Sequence, residues 1–218
     1  MAAGVTASRS SPGGDRALRI GVTGHRLDRL TPADLAALRR PVRDLFALLR
    51  RTKSDPPPVV VSALAEGADR LAAQEAIRAG FALRCPLPFE RDEYARDFAN
   101  ADSLADYRAL LQQATVVEEL GGSRETPEAE RAAYAAVGTR VLDGADILLA
   151  IWDGQAARGD GGTGDIVRAA LQRRVPTVWI AAAPPYRARL LTNATATGTG
   201  ESLDRLPSLL ASLLRGDG

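Results

Sequence analysis

Four short segments of this 218-residue chain place glycine, hydroxyl and charged side chains where an apolar run stops. The first is Thr23-Gly24-His25-Arg26, directly after the apolar run Leu18 to Val22. Its glycine permits a tight turn or a close approach of backbone to ligand. Arg26 offers a fork of donors that matches phosphate or carboxylate. His25, the only histidine, is the one side chain that titrates near neutrality without a shift. A plain turn glycine and a hydrogen-bonded loop histidine would look the same. The second segment is Ser62-Ala63-Leu64-Ala65-Glu66-Gly67-Ala68-Asp69-Arg70, a hydroxyl followed by small residues and the expected first turn of a helix. Unpaired N–H groups and the helix dipole favour a phosphate there. Gly67 within a helical pattern costs about 1 kcal/mol relative to Ala, so it signals close backbone approach or tight helix–sheet packing. Glu66 and Asp69 are either ligand-facing acids or first-turn acids that the dipole favours anyway.

In the third segment, Pro88-Phe89-Glu90-Arg91-Asp92-Glu93-Tyr94, the aromatic rings of Phe89 and Tyr94 suit base stacking and Glu90 suits ribose hydroxyls. A solvated charge run fits it equally well. The fourth is Trp152-Asp153-Gly154 followed by Gly159-Asp160-Gly161-Gly162-Thr163-Gly164-Asp165. A glycine cluster between a strand and a helix presents several N–H groups to an anion. It is neither a Walker A loop nor the GxGxxG fingerprint of a first strand.

Something must hold these segments together, and the hydrophobic pattern says what. Strands are expected at 18–22, 59–61, 81–87, 147–152 and 175–180, with a further short or extended piece at 115–120. Helices are expected from Thr31-Pro32, from Ala65 or Glu66 to Gly80, over 103–113, from Thr126-Pro127 to about Leu142, from the 161–164 glycines to Arg173, and over 203–214. Leu35, Leu38, Val42, Leu45 and Leu49 recur at helical spacing, and Thr-Pro is a cap followed by a first-position proline. Residues 190–201 read as a loop. Alternating strands and helices predict an α/β, Rossmann-like parallel sheet with helices on both faces and right-handed crossovers, in one domain over 17–218. Residues 1–16, small and polar, read as a flexible N-terminal leader. In an open parallel sheet, ligands bind beyond the carboxyl ends of the strands, where all four segments fall.

Composition narrows the partners. Lys plus Arg number 28 against 27 Asp plus Glu, a formal charge of +1, so no large field attracts a polyanion or an anionic membrane and nucleic acid is not the expected partner. One cysteine, Cys85, excludes an intramolecular disulfide framework and a cysteine-rich zinc site. No metal and no cofactor is expected. With no apolar run near the roughly 20 residues of a membrane helix and no apolar signal-peptide core, a cytoplasmic location is expected.

Together, Gly21-Val22-Thr23-Gly24-His25-Arg26, Ser62 to Asp69, Trp152-Asp153-Gly154 and Gly161-Gly162-Thr163-Gly164-Asp165 resemble the SLOG superfamily over roughly residues 18–180. That Rossmann-like group includes DNA-processing protein A, the LOG phosphoribohydrolases and the nucleotide-sensing domains of melastatin-type TRP channels. The resemblance implies that the second-strand and late glycine loops bind a nucleotide or nucleotide derivative. The phosphoribohydrolases carry PGGxGT with a glutamate two residues on. Here the proline is missing, and Val167 or Arg168 stands where the glutamate would be. The leading expectation is therefore a ligand sensor, signalling through a homo-oligomer or an effector partner protein by population shift. The alternative is a nucleoside 5′-monophosphate N-glycosidase with Glu66 or Asp69 as catalytic carboxylate.

Overall fold

The computed structural model describes residues 16–53, 55–98, 100–155, 161–192 and 200–215. The expected leader, apart from Arg16, lies outside these residues, as do Gly159 and Asp160 of the late loop.

The chain runs β1 (Arg19–Gly24), α1 (Pro32–Thr52), β2 (Val59–Val61), α2 (Ala68–Arg78), β3 (Ala82–Leu87), α3 (Arg91–Tyr94), α4 (Ala101–Gln112), β4 (Val116–Glu119), α5 (Pro127–Leu142), β5 (Ile147–Trp152), α6 (Thr163–Gln172), β6 (Thr177–Ala181), β7 (Ala188–Leu191) and α7 (Leu206–Arg215). The seven strands form one sheet in the order β4-β3-β2-β1-β5-β6-β7. Every neighbouring pair is parallel except β6 with β7. The fold is thus the expected Rossmann-like α/β sheet with one antiparallel edge. β7 lies just before and within the segment read as a loop, and its four residues are too short to stand out beside Pro184-Pro185.

Local chemistry explains the elements. Thr31 caps α1 through a reciprocal box with Asp34, and Leu38, Val42, Leu45, Phe46 and Leu49 form its buried stripe. β5 is buried at all six positions, as a central parallel strand must be. Helices α1, α2 and α7 share the larger apolar core on one face of the sheet, and α5 and α6 the smaller core on the other. Between α1 and α2, the carboxylate of buried Glu75 is clamped by Arg39 at 3.0 Å, Arg43 at 3.1 Å and Arg78.

The start of α2 corrects the sequence reading. Gly67 is its N-cap with φ +92°, so the helix begins at Ala68 rather than at Ala65 or Glu66. Gly67 is left-handed because the β1 turn lies against it: a Cβ there would stand 2.6 Å from the His25 carbonyl oxygen.

Candidate functional site

Strand order reverses between β1 and β5, and the crevice beyond their carboxyl ends is where an open α/β sheet takes ligands. A cavity of about 380 Å³ opens there. Its walls are the β1 turn (Thr23, Gly24, His25, Arg26), the β2 loop with the first turn of α2 (Ala63, Ala65, Asp69), Tyr94 of α3, Tyr134 and Gly138 of α5, and Gly161, Gly162 and Thr163 at the start of α6.

Each wall has a local cause. Gly24 lets β1 turn between its neighbours, since a Cβ would stand 2.7 Å from the Ile151 carbonyl oxygen and collide with the Ala68 methyl. His25 is buried; its Nε2 accepts the Asp153 backbone N–H at 3.1 Å and lies 3.2 Å from Asp153 Oδ1. Burial pushes the His25 pKa below its ordinary value, with Asp153 pulling against it. The ring therefore joins the β1 turn to the β5 turn across the switch point. Arg29 adds an ion pair to Asp153 at 3.4 Å.

Arg26 projects from the same turn with its guanidinium 5.3 Å from the Tyr134 ring centroid, a cation–π contact. It makes no side-chain hydrogen bond or ion pair within 4 Å among the described residues. The desolvating walls work against its charge, but Tyr94, Tyr134, Asp97 and Asp69 outweigh them and raise its pKa. Asp69 is buried, and burial pushes its carboxyl up to about 6 even though Arg26, backbone bonds from Ala65 and Ala63, and the Ser62 hydroxyl all favour the charged form. At the start of α6, Gly162 is an N-cap with no side-chain hydrogen bond, so the first amides of a ten-residue helix meet the cavity without a protein cap.

The remaining sequence candidates lie off this wall. Ser62 is buried beneath the loop, where its Oγ accepts the Leu64 N–H at 3.2 Å. Gly67 is packed on the His25–Arg26 backbone. Glu66 turns away from the cavity, because the left-handed Gly67 reverses the chain after it; its carboxylate accepts the Ser103 hydroxyl, in a separate depression beside Arg70. Glu90 is exposed at the N-cap of α3. Phe89 is fully buried, stacked edge-on to Tyr134, so it offers no face to a base. Trp152 is buried in β5 with Nε1 donating to Gln155 O at 2.8 Å, and Asp153 supports His25 from behind. Gly164 is buried within α6, and the Asp165 carboxylate pairs with Arg168.

The sequence reading missed Tyr134, Asp28, Arg29 and Gly138. Tyr134 is the one aromatic of α5, set among Ala132, Ala133, Ala135 and Ala136, and that isolation is the signal that could have found it. Its hydroxyl donates to Asp97 Oδ2 at 2.6 Å, and Arg124 closes the same network against Asp97, Glu93 and Glu130.

The sheet order, with its switch-point cavity between β1 and β5, defines a Rossmann-like α/β domain. Among solved structures, DNA processing protein A from Helicobacter pylori superposes at TM-score 0.54 with 14% identity, covering 91% of this chain and 81% of its own. The same protein from Streptococcus pneumoniae gives TM-score 0.51 and 15% identity over 92% of this chain, which spans only 56% of that structure. The Moco carrier protein of Chlamydomonas rheinhardtii gives TM-score 0.42 with 14% identity over 75% of this chain and 76% of its own. No family model and no curated protein matches the chain. No helix among the described residues is long and apolar enough to cross a membrane.

Proposed function

We propose that this chain binds a nucleotide or nucleotide derivative in the switch-point cavity. The phosphate would sit on the Gly162–Thr163 amides of α6, with Arg26 as counter-ion and the sugar and base toward Tyr134 and Tyr94. One observation carries this reading: an uncapped helix N-terminus and an arginine with no hydrogen-bond or ion-pair partner among the described residues open onto the same cavity. Oriented N–H groups and a guanidinium fork together recognise a phosphate through charge-assisted hydrogen bonds. Occupancy would draw the β1 turn, α5 and α6 together. A sensor works through such a shift, passed on to a second copy or to a partner protein.

A thermal-shift screen against nucleoside mono-, di- and triphosphates, nucleotide-sugar derivatives and a short oligonucleotide tests the reading. A ligand that binds only the folded state raises Tm once its concentration exceeds Kd. We expect a nucleotide to do so, and Gly162→Val to weaken it at least about tenfold, the size of one lost charge-assisted contact. Gly162 has an ordinary φ of −69°, so its backbone accepts a side chain. Unchanged affinity in that variant would remove α6 from the site. The oligonucleotide arm bears on the Helicobacter pylori neighbour, described as binding single-stranded DNA; a salt-steep gain from it alone would favour nucleic acid.

A second reading, N-glycosidic hydrolysis, is favoured only by Asp69, the carboxyl on the cavity wall with a raised pKa. That carboxyl is engaged by the Ala63 and Ala65 backbone, which suits a structural role better than proton transfer. Release of free base that disappears in Asp69→Asn would establish hydrolysis.

A further inference from the structure

A second concentration of positive charge lies at the other end of β1 from the cavity. Parallel register places Arg19 opposite Val59 and Val61 opposite Arg84, which in turn faces Val116. Side chains two residues apart share a face, so Arg19, Arg84 and Glu118 all project from the α5 side of the sheet. Arg140 reaches the same groove from α5. A parallel sheet face beneath a crossover helix is ordinarily apolar. This one carries two guanidiniums, with a third facing them from the helix, because α5 must cross back from β4 to β5 over three intervening strands and cannot cover them all.

The charges do not balance. Arg140 is paired with Glu118 at 2.8 Å. Asp146, the acid whose charge acts on Arg19, is taken by the Arg16 guanidinium and by the Arg19 backbone N–H at 2.8 Å. The side chains of Arg19 and Arg84 have no hydrogen bond and no ion pair within 4 Å among the described residues, and Arg19 Nε is buried without a partner. Burial, then the neighbouring Arg84 and Arg140 charges, push the Arg19 pKa down. Repelling guanidiniums are thus held at one half-buried place with a single carboxylate, Glu118, among the residues lining it.

We propose that the rim of this narrow groove, only about 10 Å³ inside, is a second anion site, in which the Arg19 and Arg84 guanidiniums, flanked by Arg140, swing outward to hold a phosphate-sized oxoanion, either free or as the phosphate group of a small metabolite. Planar guanidiniums bind tetrahedral oxoanions through paired N–H donors, and two of the three here have those donors unspent. The site does not depend on the switch-point cavity and is separable from it by mutation.

The test uses the full chain carrying Gly162→Val, which disables the α6 amides, titrated with inorganic phosphate and with a nucleoside monophosphate by calorimetry and thermal shift. Sodium chloride at matched ionic strength serves as the screening control. Saturable binding of either phosphate is expected, weakened about tenfold by Arg84→Gln or by Arg19→Gln, and lost in the double variant. Preference for the nucleotide would mark a metabolite site, and equal affinity a free-phosphate site. In phosphate-free chloride both single variants should melt at or above the parent, because repulsion is relieved, so loss of binding cannot be ascribed to misfolding. The inference is overturned if neither phosphate binds the Gly162→Val protein, or if the double variant binds as tightly as its parent. Failure of the cavity reading would look different: nucleotide affinity indifferent to Gly162→Val.

Discussion

Helices α2 and α6 begin alike and end up doing different work. Each starts after a strand of the sheet, each has a glycine N-cap with no side-chain hydrogen bond, and each carries an aspartate in its first turn. At α2 the protein fills the position itself. The Ala68 N–H donates to the His25 carbonyl at 3.0 Å, and the Asp69 carboxylate turns back onto the Ala63 and Ala65 backbone. At α6 the glycines face the cavity, and Asp165 is drawn outward to Arg168. A helix N-terminus binds an anion only where its amides are unspent. Glycine and small residues after a strand mark the place but do not say whether the chain has already used it.

The sharpest way to break this contrast is to add one methyl at each N-cap. Gly67→Ala must hold alanine at φ +92° and there bring its Cβ to 2.6 Å from the His25 carbonyl oxygen, so a loss of about 3 kcal/mol or more is expected in urea unfolding. Gly162→Ala, at φ −69° beside the cavity, should cost no more than about 1 kcal/mol. Equal costs at the two positions would mean that the fold depends on the α6 cap no less than on the α2 cap.

The second test asks whether Asp69 is structural. Its folded pKa, raised from 3.8 to about 6, means that the native state binds the proton more tightly than the unfolded chain does. Stability from this group is therefore fullest when the carboxyl is protonated and falls as pH rises from about 4 to about 6. One pKa unit is about 1.4 kcal/mol, so the swing is on the order of 3 kcal/mol. Asp69→Asn removes the titration. The stability of the parent minus that of the variant should decline across this window, and a flat difference would show that the carboxylate is not desolvated.

How much of this was legible beforehand follows from which forces are local. The Leu18–Val22, Val59–Val61 and Ile147–Trp152 runs announce buried parallel strands, and Thr31-Pro32 and Thr126-Pro127 announce helix starts, because both signals reside in adjacent residues. The start of α2 was not legible. Ala65 and Glu66 are good helix formers, and only contact with the β1 turn, some 40 residues earlier in the chain, forces Gly67 left-handed. The misplacement of Glu66 follows from that single torsion. Tyr134 and the Arg19–Arg84 cluster were hidden for the same reason: their meaning depends on register across strands and on where α5 crosses the sheet.

The smallest expected effect concerns His25, which couples the two turns flanking the cavity. In the neutral ring Nε2 accepts the Asp153 N–H, which puts the proton on Nδ1. An imidazolium has no lone pair for that N–H, although its charge would be welcomed by Asp153 Oδ1 at 3.2 Å. Burial, the larger influence, sets the folded pKa below 6.5, so the unfolded chain takes up the proton more readily. The contribution is fully present above pH 6.5 and is lost as pH falls through that value toward the lower folded pKa, the reverse of the Asp69 slope. As the sole histidine, its ring resonances can be followed by NMR without assignment, in the Asp69→Asn protein to remove the competing titration. A midpoint below 6.5, with nucleotide affinity weakening over the same range, is expected. A midpoint at or above 6.5 would mean that Asp153 prevails over burial, and that the join between β1 and β5 is an ion pair rather than a neutral hydrogen bond.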